Sequence, residues 1–521
     1  MEREKDEEIT KGLNLILKSS IIVLAGFILS KIFGYVYRII IARHFGPEIY
    51  GLFSLATLIV GWVVAVAGLG FTEGILRYAS LYRGKNELNK IRYVFRFSSK
   101  ILLLSTILFS TILFLLSNQI SLVIVHDLSL SVYLRILSWM VVFWVFSSYF
   151  LAIMRSFERI KEISLIESIT QSFVKVLLLI VFVWFGLEHN AIIFSFFASI
   201  VVMFLLSFFY CKLKISEVFE DYRLDEKTKK KVFSNFVSYS WPVLFFGVIS
   251  SLFYWVDSLA IGYFKSATEV GLYNAVVPIV VLLNIVPEIF LQMFFPMITK
   301  KYSLKNMNFI KETSKQIGKW ILLFNLPLIA IMLIFPDVII GILFGQDYVI
   351  ASNSMRFLSL GVLFSSISLI SNNLLSMSGK SKILFYDILI VTIINLILNV
   401  LLVPQKSIFG LDNSLGINGA AIATAMSMIL FSVTVFVQAK KYTSITPIKK
   451  EMLSIIFAAI ISATFAILIK GLLFHSLTMF FVVSFLFASS YLSLLFFFNV
   501  FEKNDSLIVD SVKLFNKKMV Y

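Results

Sequence analysis

The chain has 521 residues, of which 59% are hydrophobic and 15% are charged, and its mean hydropathy is +0.92. This composition excludes a soluble protein, because no soluble core could hide so many apolar runs of about 20 residues, each long enough to cross about 30 Å of hydrocarbon as a helix. The net charge of +16 does not indicate nucleic-acid binding, since the basic residues lie in short loops between the apolar runs, where positive-inside sorting accounts for them.

Apolar runs separated by charged breaks predict an all-α polytopic membrane protein with about fourteen transmembrane helices. The segment 1–18 begins with polar and acidic residues, which predicts a cytoplasmic tail rather than a cleaved signal peptide. The predicted helices cover residues 19–42, 50–76, 97–117, 128–153, 163–185, 189–211, 235–263, 270–298, 317–336, 350–377, 383–403, 417–439, 452–471 and 477–499.

Lysine and arginine residues are concentrated in alternate loops of this pattern. One set of loops contains basic clusters such as 83–100 and 227–231, whereas the other set holds few basic residues. Those few are Arg43, Lys265, Lys406 and Lys470. Because cytoplasmic loops carry the excess of basic residues, both termini are predicted to be cytoplasmic, which requires an even number of spans.

Two short motifs recur at a nearly constant offset along the chain. The pattern RxLSxxVxF begins at Arg135 and again at Arg356, and the similar segments 48–53 and 269–273 are separated by almost the same distance. A constant offset indicates duplication of about the first two fifths of the protein. In a membrane protein, two similar halves are typical of a transporter with a cavity between them.

The duplication divides the predicted helices into domains. Residues 19–211 and 235–441 are predicted to form two six-helix lobes, joined by the basic cytoplasmic linker 212–234. Six spans in each half give parallel repeats, and therefore a central cleft that can face either side by rocking. Helices thirteen and fourteen, at 449–499, have no counterpart in the repeat, and 500–521 is predicted to be a cytoplasmic tail along the inner surface.

Five cations lie at membrane depth, where an unpaired charge on the lipid face would be costly. They are Lys31, Arg38, Lys175, Arg135 and Arg356. One interpretation is that they line a cationic chamber for a phosphate or acidic-sugar headgroup, since the planar fork of arginine binds two phosphate oxygens at once. The alternative is that the arginines near the outer ends extend to lipid headgroups or form structural pairs.

Three carboxylates in predicted helices are candidates for coupling transport to H⁺ or Na⁺. They are Asp257, Glu288 and Asp387. Glu288 follows Pro287, and proline frees a backbone carbonyl, so a carboxylate at such a bend could bind an ion. The alternative is an ordinary kink with a buried, neutral or paired glutamate.

No pattern in the sequence predicts a metal site, a cofactor site or catalysis. The single cysteine, Cys211, excludes a disulfide within the chain, and the four histidines are too scattered for a metal cluster. No phosphate-cradling glycine loop, paired-histidine motif or exposed nucleophile arrangement is present. Every predicted outer loop is short, which argues against a membrane-bound transferase, and we expect a protein that is not an enzyme.

A series of short segments from the first to the twelfth predicted helix forms a specific combination. It consists of SKIFG at 30–34, ARHFGPEIYGLF at 42–53, GLG at 68–70, Arg77 with Tyr78, Asp257, GLY at 271–273, FG at 344–345 before Arg356, 399–404, and GINGAA at 416–421. Together these segments resemble the prokaryotic polysaccharide flippases, the Wzx-like transporters of the multidrug/oligosaccharidyl-lipid/polysaccharide superfamily. The resemblance covers about the first 440 residues.

The resemblance implies a MATE-like fold of two six-helix lobes around a V-shaped cationic cleft. The related lipid II flippases carry an arginine at the position of Lys31, so the cation of this chain fits. They carry a second arginine where this chain has Tyr37, and Arg38 follows one residue later. That departure argues against a true lipid II flippase.

We therefore expect a flippase that moves a polyprenyl-linked pyrophosphate oligosaccharide from the inner to the outer leaflet by alternating access, for cell-surface polysaccharide or glycan export. The expected location is the plasma membrane of a prokaryote, and the expected partners are the prenyl-linked saccharide, membrane lipids, a coupling ion and glycan assembly enzymes. Two alternatives are open at this point. One is a multidrug/cation antiporter of the same superfamily that uses acidic ion sites, and the other is a non-transporting scaffold of a glycan assembly complex.

Overall fold

The computed structural model of the protein describes residues 2–404, 415–472 and 477–501. Within these residues every regular element is a helix. In the same residues, twelve helices are long and apolar enough to cross a membrane, and a thirteenth span is added when the bent pair Ser129–Ser138 and Met140–Ser156 is counted as one. The prediction of an all-α polytopic membrane protein is confirmed.

The helices follow the predicted spans, and most ends differ by a few residues. Larger extensions occur at Leu88, Glu226 and Met307, where the helix continues into polar sequence because charged residues end an apolar run without ending a helix. The longer helices are Glu2–Ala67, Phe71–Gly84, Leu88–Ile124, Ser129–Ser138, Met140–Ser156, Gln171–Trp184, Asn190–Lys214, Glu226–Phe264, Ala267–Val281, Ile285–Ser303, Met307–Ile334, Ser352–Met377, Ser381–Leu402, Gly416–Thr443, Glu451–Leu472 and Leu477–Phe497. Shorter elements are Ile160–Ile163, the π-helix Ser164–Thr170, Ser216–Val218, Leu282–Asn284, Pro336–Leu343 and Gln346–Ala351.

The helical run Glu2–Ala67 contains two predicted spans. A straight helix of its 66 residues would be about 99 Å long, but Gly46 within it has the non-helical angles φ 80° and ψ 176°. The ring centroids of Tyr37 and Phe53 are 6.0 Å apart, although a straight helix would separate these residues by about 24 Å. The chain therefore turns back at Gly46. This turn accounts for the difference between thirteen spans and the predicted fourteen.

Two other predicted spans are interrupted where the apolar pattern shows no break. The predicted span 50–76 stops at Ala67 and resumes at Phe71, across the left-handed Gly70 with φ 68°. The predicted span 128–153 bends by 46° at Trp139. Both predictions of a continuous helix were wrong, because hydropathy stays high through a bend and does not report backbone geometry.

A close helix crossing joins the two segments that recur in the sequence. A Cβ atom added at Gly51 would lie 1.7 Å from the carbonyl oxygen of Ala267, and one added at Gly271 would lie 1.8 Å from the carbonyl oxygen of Pro47. Gly271 lies 220 residues after Gly51, and Ala267 lies 220 residues after Pro47, so each contact is the counterpart of the other. This reciprocity supports the duplication, and the missing side chains let the backbones approach closely.

The described residues divide into two compact units. The first consists of residues 2–275 with 403–404 and 415–416, and the second holds the remaining described residues. Helix Glu226–Phe264 thus packs within the first unit, although the sequence assigns most of it to the second lobe. The lobe boundary inferred from chain order stays a prediction.

In the second unit, the two helices predicted outside the repeat pack against Met307–Ile334. Leu322 on that helix joins a buried cluster with Ala459 and Tyr491, and the Tyr491 hydroxyl donates a hydrogen bond to the Leu323 carbonyl at 3.1 Å. The predicted outer loop around Lys406 and the predicted tail beyond Phe501 lie outside the described residues.

Candidate functional site

A cavity of about 350 Å³ lies within the first unit. The helix before the Gly46 turn contributes Ser30, Gly34, Tyr37 and Arg38 to its wall. This spacing of four, three and one residues places all four side chains on one face of an α-helix. The helix after the turn contributes a second such stripe, so the turn brings two faces of one helical run to the same cavity.

Lys175 reaches this cavity from helix Gln171–Trp184. Its Nζ atom lies 4.9 Å from the centroid of the Tyr37 ring and 5.9 Å from that of Phe196. Aromatic faces attract a cation with about 0.5–2 kcal/mol, so the rings hold the ammonium group in place without neutralising its charge.

The helix that carries Lys175 is preceded by the π-helix Ser164–Thr170. Single π turns inside α-helices are frequent at functional sites because they change the direction in which later side chains point. Gln171 and Ser172 follow the π-helix directly and line the cavity together with Lys175. The irregular turn therefore sets the direction of three polar side chains.

Arg38 is the second cation of the cavity. Its guanidinium lies beside the Tyr50 hydroxyl and within electrostatic reach of Lys175. Tyr50 is fully buried and its hydroxyl donates a hydrogen bond to the Asn274 carbonyl at 3.1 Å. Arg38 is thus held by a residue that is itself fixed to another helix.

Neutral polar groups and aromatic rings complete the wall. Ser30 Oγ and Ser172 Oγ are 3.0 Å apart, and Gln171 Nε2 donates to Ser199 Oγ at 3.2 Å. The Phe196 ring contacts the Trp144 ring with a centroid distance of 5.8 Å. Hydroxyl and amide groups suit sugar hydroxyls, and aromatic faces suit the C–H faces of sugar rings.

The charge of the cavity has one sign. Of the described residues that line it, Arg38 and Lys175 are cationic and none is acidic. Within the described part of the chain, neither cation forms an ion pair with a carboxylate. Two like charges in one partly buried space favour an anionic occupant, because it relieves their mutual repulsion.

The structure brings two of the five predicted cations together. Lys31 is adjacent in sequence to Ser30 but is not among the residues that line the cavity. Arg135 instead donates to Ser117 Oγ at 3.2 Å and to Asn118 Oδ1 at 2.9 Å.

The fifth predicted cation belongs to the second unit. Arg356 donates to the Leu333 carbonyl at 3.1 Å and to Asn353 Oδ1 at 2.6 Å. Like Arg135, it forms hydrogen bonds with residues of its own and adjacent helices, as expected of an arginine with a structural role.

The three carboxylates occupy different environments. Asp257 is buried and accepts a hydrogen bond from the Tyr273 hydroxyl at 2.5 Å. Glu288 is exposed and follows a 3₁₀ turn, Leu282–Asn284, so the helix is interrupted close to the predicted bend. Asp387 is buried and accepts a hydrogen bond from Gln438 Nε2 at 2.9 Å.

Several lining residues were not singled out by the sequence. They are Trp144, Gln171, Trp255 and Asn274. Gln171 lies one helical turn before Lys175, so a polar residue at that spacing in an apolar run is a signal that could have identified it. Among the described residues, no group of three or more histidine, cysteine, aspartate or glutamate side chains is placed to hold a metal ion.

Comparisons with known proteins place the chain in a family. A family model described as "Polysaccharide biosynthesis protein" matches residues 16–302. The chain belongs to the polysaccharide biosynthesis protein family. A second model, MatE, matches residues 242–401. Membership of this family confirms the resemblance that the sequence motifs show.

Relatives of this family member include named transporters. A "Putative O-antigen transporter" of Shigella flexneri is 24% identical over 386 residues, which are 71% of this chain and 86% of the relative. A "Probable low-salt glycan biosynthesis flippase Agl15" of Haloferax volcanii is 28% identical over 268 residues, which are 51% of each chain.

Solved structures show the same fold at low sequence identity. "Lipid II flippase MurJ, inward closed conformation" superposes with a TM-score of 0.74 at 17% identity, covering 92% of this chain and 99% of that chain. An inward-facing multidrug resistance MATE family transporter gives a TM-score of 0.61 at 15% identity, covering 81% of this chain and 98% of that chain. The MATE-like fold is thereby confirmed for this member of the polysaccharide biosynthesis protein family.

Proposed function

We propose that the protein is a flippase that moves a polyprenyl-linked pyrophosphate oligosaccharide from the inner to the outer leaflet by alternating access. The observation that carries the proposal is the cavity in which Arg38 and Lys175 lie together without an acidic lining residue. The names of the O-antigen transporter and the glycan flippase support a lipid-linked glycan as the cargo.

The chemistry of the cavity matches such a headgroup in three respects. Arg38 provides a planar fork for two phosphate oxygens, and Lys175 provides a compact second charge. Gln171 and the serines provide partners for sugar hydroxyls. A volume of about 350 Å³ falls within the range of small-molecule sites, so it suits the pyrophosphate and the first sugars, while the prenyl chain stays in lipid.

The proposal also covers topology and chemistry outside the cavity. The protein is a multi-pass membrane protein of a prokaryotic plasma membrane with both termini in the cytoplasm, as the distribution of lysine and arginine supports. It acts without catalysis, in line with relatives that are named as transporters or flippases. Membrane lipids, a coupling ion and glycan assembly enzymes are its proposed partners.

The cation antiporter alternative is not favoured by the structure of the cavity. A cationic drug would enter a space that already holds two positive charges, and at about 4 Å each such pair costs about 4 kcal/mol at an effective dielectric constant of 20. The scaffold alternative gives no reason for two cations at the wall of one cavity.

The experiment uses a strain from which the gene is deleted, with identification of the prenyl-linked saccharide that accumulates on the inner leaflet. Wild-type protein should clear this intermediate. Lys175→Met and Arg38→Gln should each weaken headgroup binding by about 10- to 100-fold, because a hydrogen bond to a charged group contributes about 1.5–3 kcal/mol.

Lys214→Met is the matched control, because Lys214 is an exposed lysine at the end of helix Asn190–Lys214, outside the cavity. It should clear the intermediate like the wild type. Full clearance by Lys175→Met at equal protein level would contradict the proposed binding site, and the absence of any accumulated saccharide in the deletion strain would contradict the proposed function.

A further inference from the structure

A buried acid–amide pair links two helices of the second unit. Asp387 lies on helix Ser381–Leu402 with 8% of its surface exposed, and Gln438 lies on helix Gly416–Thr443. Gln438 Nε2 donates a hydrogen bond to Asp387 Oδ1 at 2.9 Å. One oxygen of the carboxyl group is therefore satisfied by the amide.

The remaining oxygen of each side chain in the pair lacks a hydrogen bond. Asp387 Oδ2 and Gln438 Oε1 are both buried and neither has a hydrogen-bond partner. An ionised carboxylate and an amide oxygen are acceptors only, so these two atoms cannot bond each other while the carboxylate is charged. A buried acceptor without a donor is costly, and the large majority of buried polar side-chain atoms in native structures have at least one partner.

A single proton resolves both deficits. When Oδ2 carries a proton, it becomes a donor, and the neighbouring Gln438 Oε1 is the acceptor that lacks a partner. The acid and the amide then share two hydrogen bonds in a ring, one in each direction. This arrangement requires the neutral acid, because the charged form offers no hydrogen.

No described charged side chain near the pair takes the place of this proton as a hydrogen-bond donor to Asp387. Within the described residues, Asp387 forms no ion pair. The cations near this end of the two helices are Lys380, Lys382, Lys440 and Lys441. The ammonium groups of Lys380 and Lys441 lie 4.9 and 5.7 Å from the centroid of the Tyr442 ring. Helix Ser352–Met377, which also packs against Ser381–Leu402, carries Arg356 as its charged residue, near its opposite end.

We propose that Asp387 is a proton-binding site, occupied in this conformation by a proton on Oδ2 that bonds to Gln438 Oε1. Release breaks the Oδ2–H bond, passes the proton to water and leaves a carboxylate, so the ring with Gln438 opens and the two helices lose one of their links. The use of this proton to drive saccharide movement rests on the proposed function, whereas the site itself does not.

The other two carboxylate candidates lack this signature. Asp257 already accepts the Tyr273 hydroxyl, a bond that suits the charged form, and Glu288 is exposed. Of the three carboxylates, Asp387 is therefore the one whose hydrogen-bond partner, Gln438, has a buried oxygen without a donor.

The site is tested by infrared difference spectroscopy of the full-length protein in lipid vesicles, with the pH as the variable. The wild type should show the carbonyl band of a protonated carboxyl near neutral pH, and Asp387→Asn should lose that band. Asp337→Asn is the control and should keep it, because Asp337 forms its ion pair with Lys470, at 3.5 Å, and takes no part in the contact between Asp387 and Gln438.

Two further variants test the role of the partner. Gln438→Leu removes the acceptor of the Oδ2 proton together with the Nε2 donor, so the Oδ2–H group loses its hydrogen bond and the carbonyl band should shift to the higher frequency of a free carboxyl group. Combining Asp387→Asn with Gln438→Glu restores an acid opposite an amide in swapped order and should restore the band. A band that persists in Asp387→Asn, or a wild type without the band that is stabilised instead by Na⁺, would overturn the proposal.

Transport by the same vesicles separates this inference from the proposed function. With a prenyl-linked saccharide as cargo, a pH gradient should accelerate wild-type movement several-fold, and Asp387→Asn should keep only the movement seen without a gradient. If wild-type vesicles move the cargo but ignore the gradient, the coupling role is wrong. If they move no prenyl-linked saccharide while the infrared result holds, the proposed cargo is wrong and the proton site stands.

Discussion

Tyr37 connects the cationic cavity to the helix behind it. Its ring lies beneath the Lys175 ammonium at 4.9 Å, and its buried hydroxyl donates to the Ile192 carbonyl at 3.0 Å. The ring and the hydroxyl therefore have separable roles, since one positions the cation and the other fixes the ring.

Tyr37→Phe should separate these roles. Because it removes the hydroxyl and keeps the ring, it should lower the free energy of unfolding by about 0.5–1.5 kcal/mol while leaving the affinity for a prenyl pyrophosphate nearly unchanged. Thermal unfolding and calorimetric titration of the purified protein measure the two quantities. Tyr37→Leu also removes the ring, so it should weaken binding as well, and equal affinities of the two variants would contradict the cation–π contact.

The sequence could predict the depth of each cation but not its direction. Counting residues along a helix predicts that Lys31 and Lys175 lie near the middle of the membrane and Arg38 further toward the outside, and these depths stay predictions. The direction of a side chain around the helix depends on the neighbouring helices, which one sequence does not show. For this reason Arg38 and Lys175 could not be distinguished in advance from Arg135 and Arg356, which bond to residues beside them.

At the scale of the element, the helices that cross near Gly51 and Gly271 lie so close together that a side chain at either glycine has no room. Gly51→Ala places a methyl group 1.7 Å from the Ala267 carbonyl oxygen, so the helices must move apart. Overpacking of this kind typically costs about 1–3 kcal/mol, and we expect a lower unfolding temperature of the purified protein.

Gly61→Ala provides the control on the same helical run, because a Cβ there meets nothing within 4 Å. Alanine has the higher helix propensity, by up to about 1 kcal/mol, so this variant should be as stable as the wild type or more stable. If Gly51→Ala and Gly61→Ala unfold at the same temperature, the close crossing does not exist in the folded protein.

Elements differ in how far the sequence determines them. Apolar runs separated by charged breaks were sufficient to predict most of the spans, including the separation of the first two, because charged residues are costly at membrane depth. The bend at Trp139 and the π-helix Ser164–Thr170 contain neither glycine nor proline. Hydropathy stays high through both elements, so the local sequence does not mark either of them.

At the scale of the whole molecule, the sign of the cavity charge decides the class of cargo. Hydropathy, charge distribution and the internal repeat predict a transporter-like membrane fold, and the family match and the superposition on MurJ confirm that fold. Fold alone does not choose between lipid-linked glycans and cationic drugs, since both kinds of protein share it. The choice rests on Arg38 and Lys175 in one cavity.

Charge reversal at these two residues tests that choice most directly. In vesicles containing the purified protein, the fraction of a labelled prenyl pyrophosphate saccharide that crosses to the opposite leaflet is measured for the wild type and for Arg38→Glu combined with Lys175→Glu, alongside transport of a lipophilic cation. We predict that the wild type moves the saccharide lipid and not the cation, and that the double variant loses saccharide movement. Transport of the cation by the wild type, or undiminished saccharide movement by the double variant, would contradict the account.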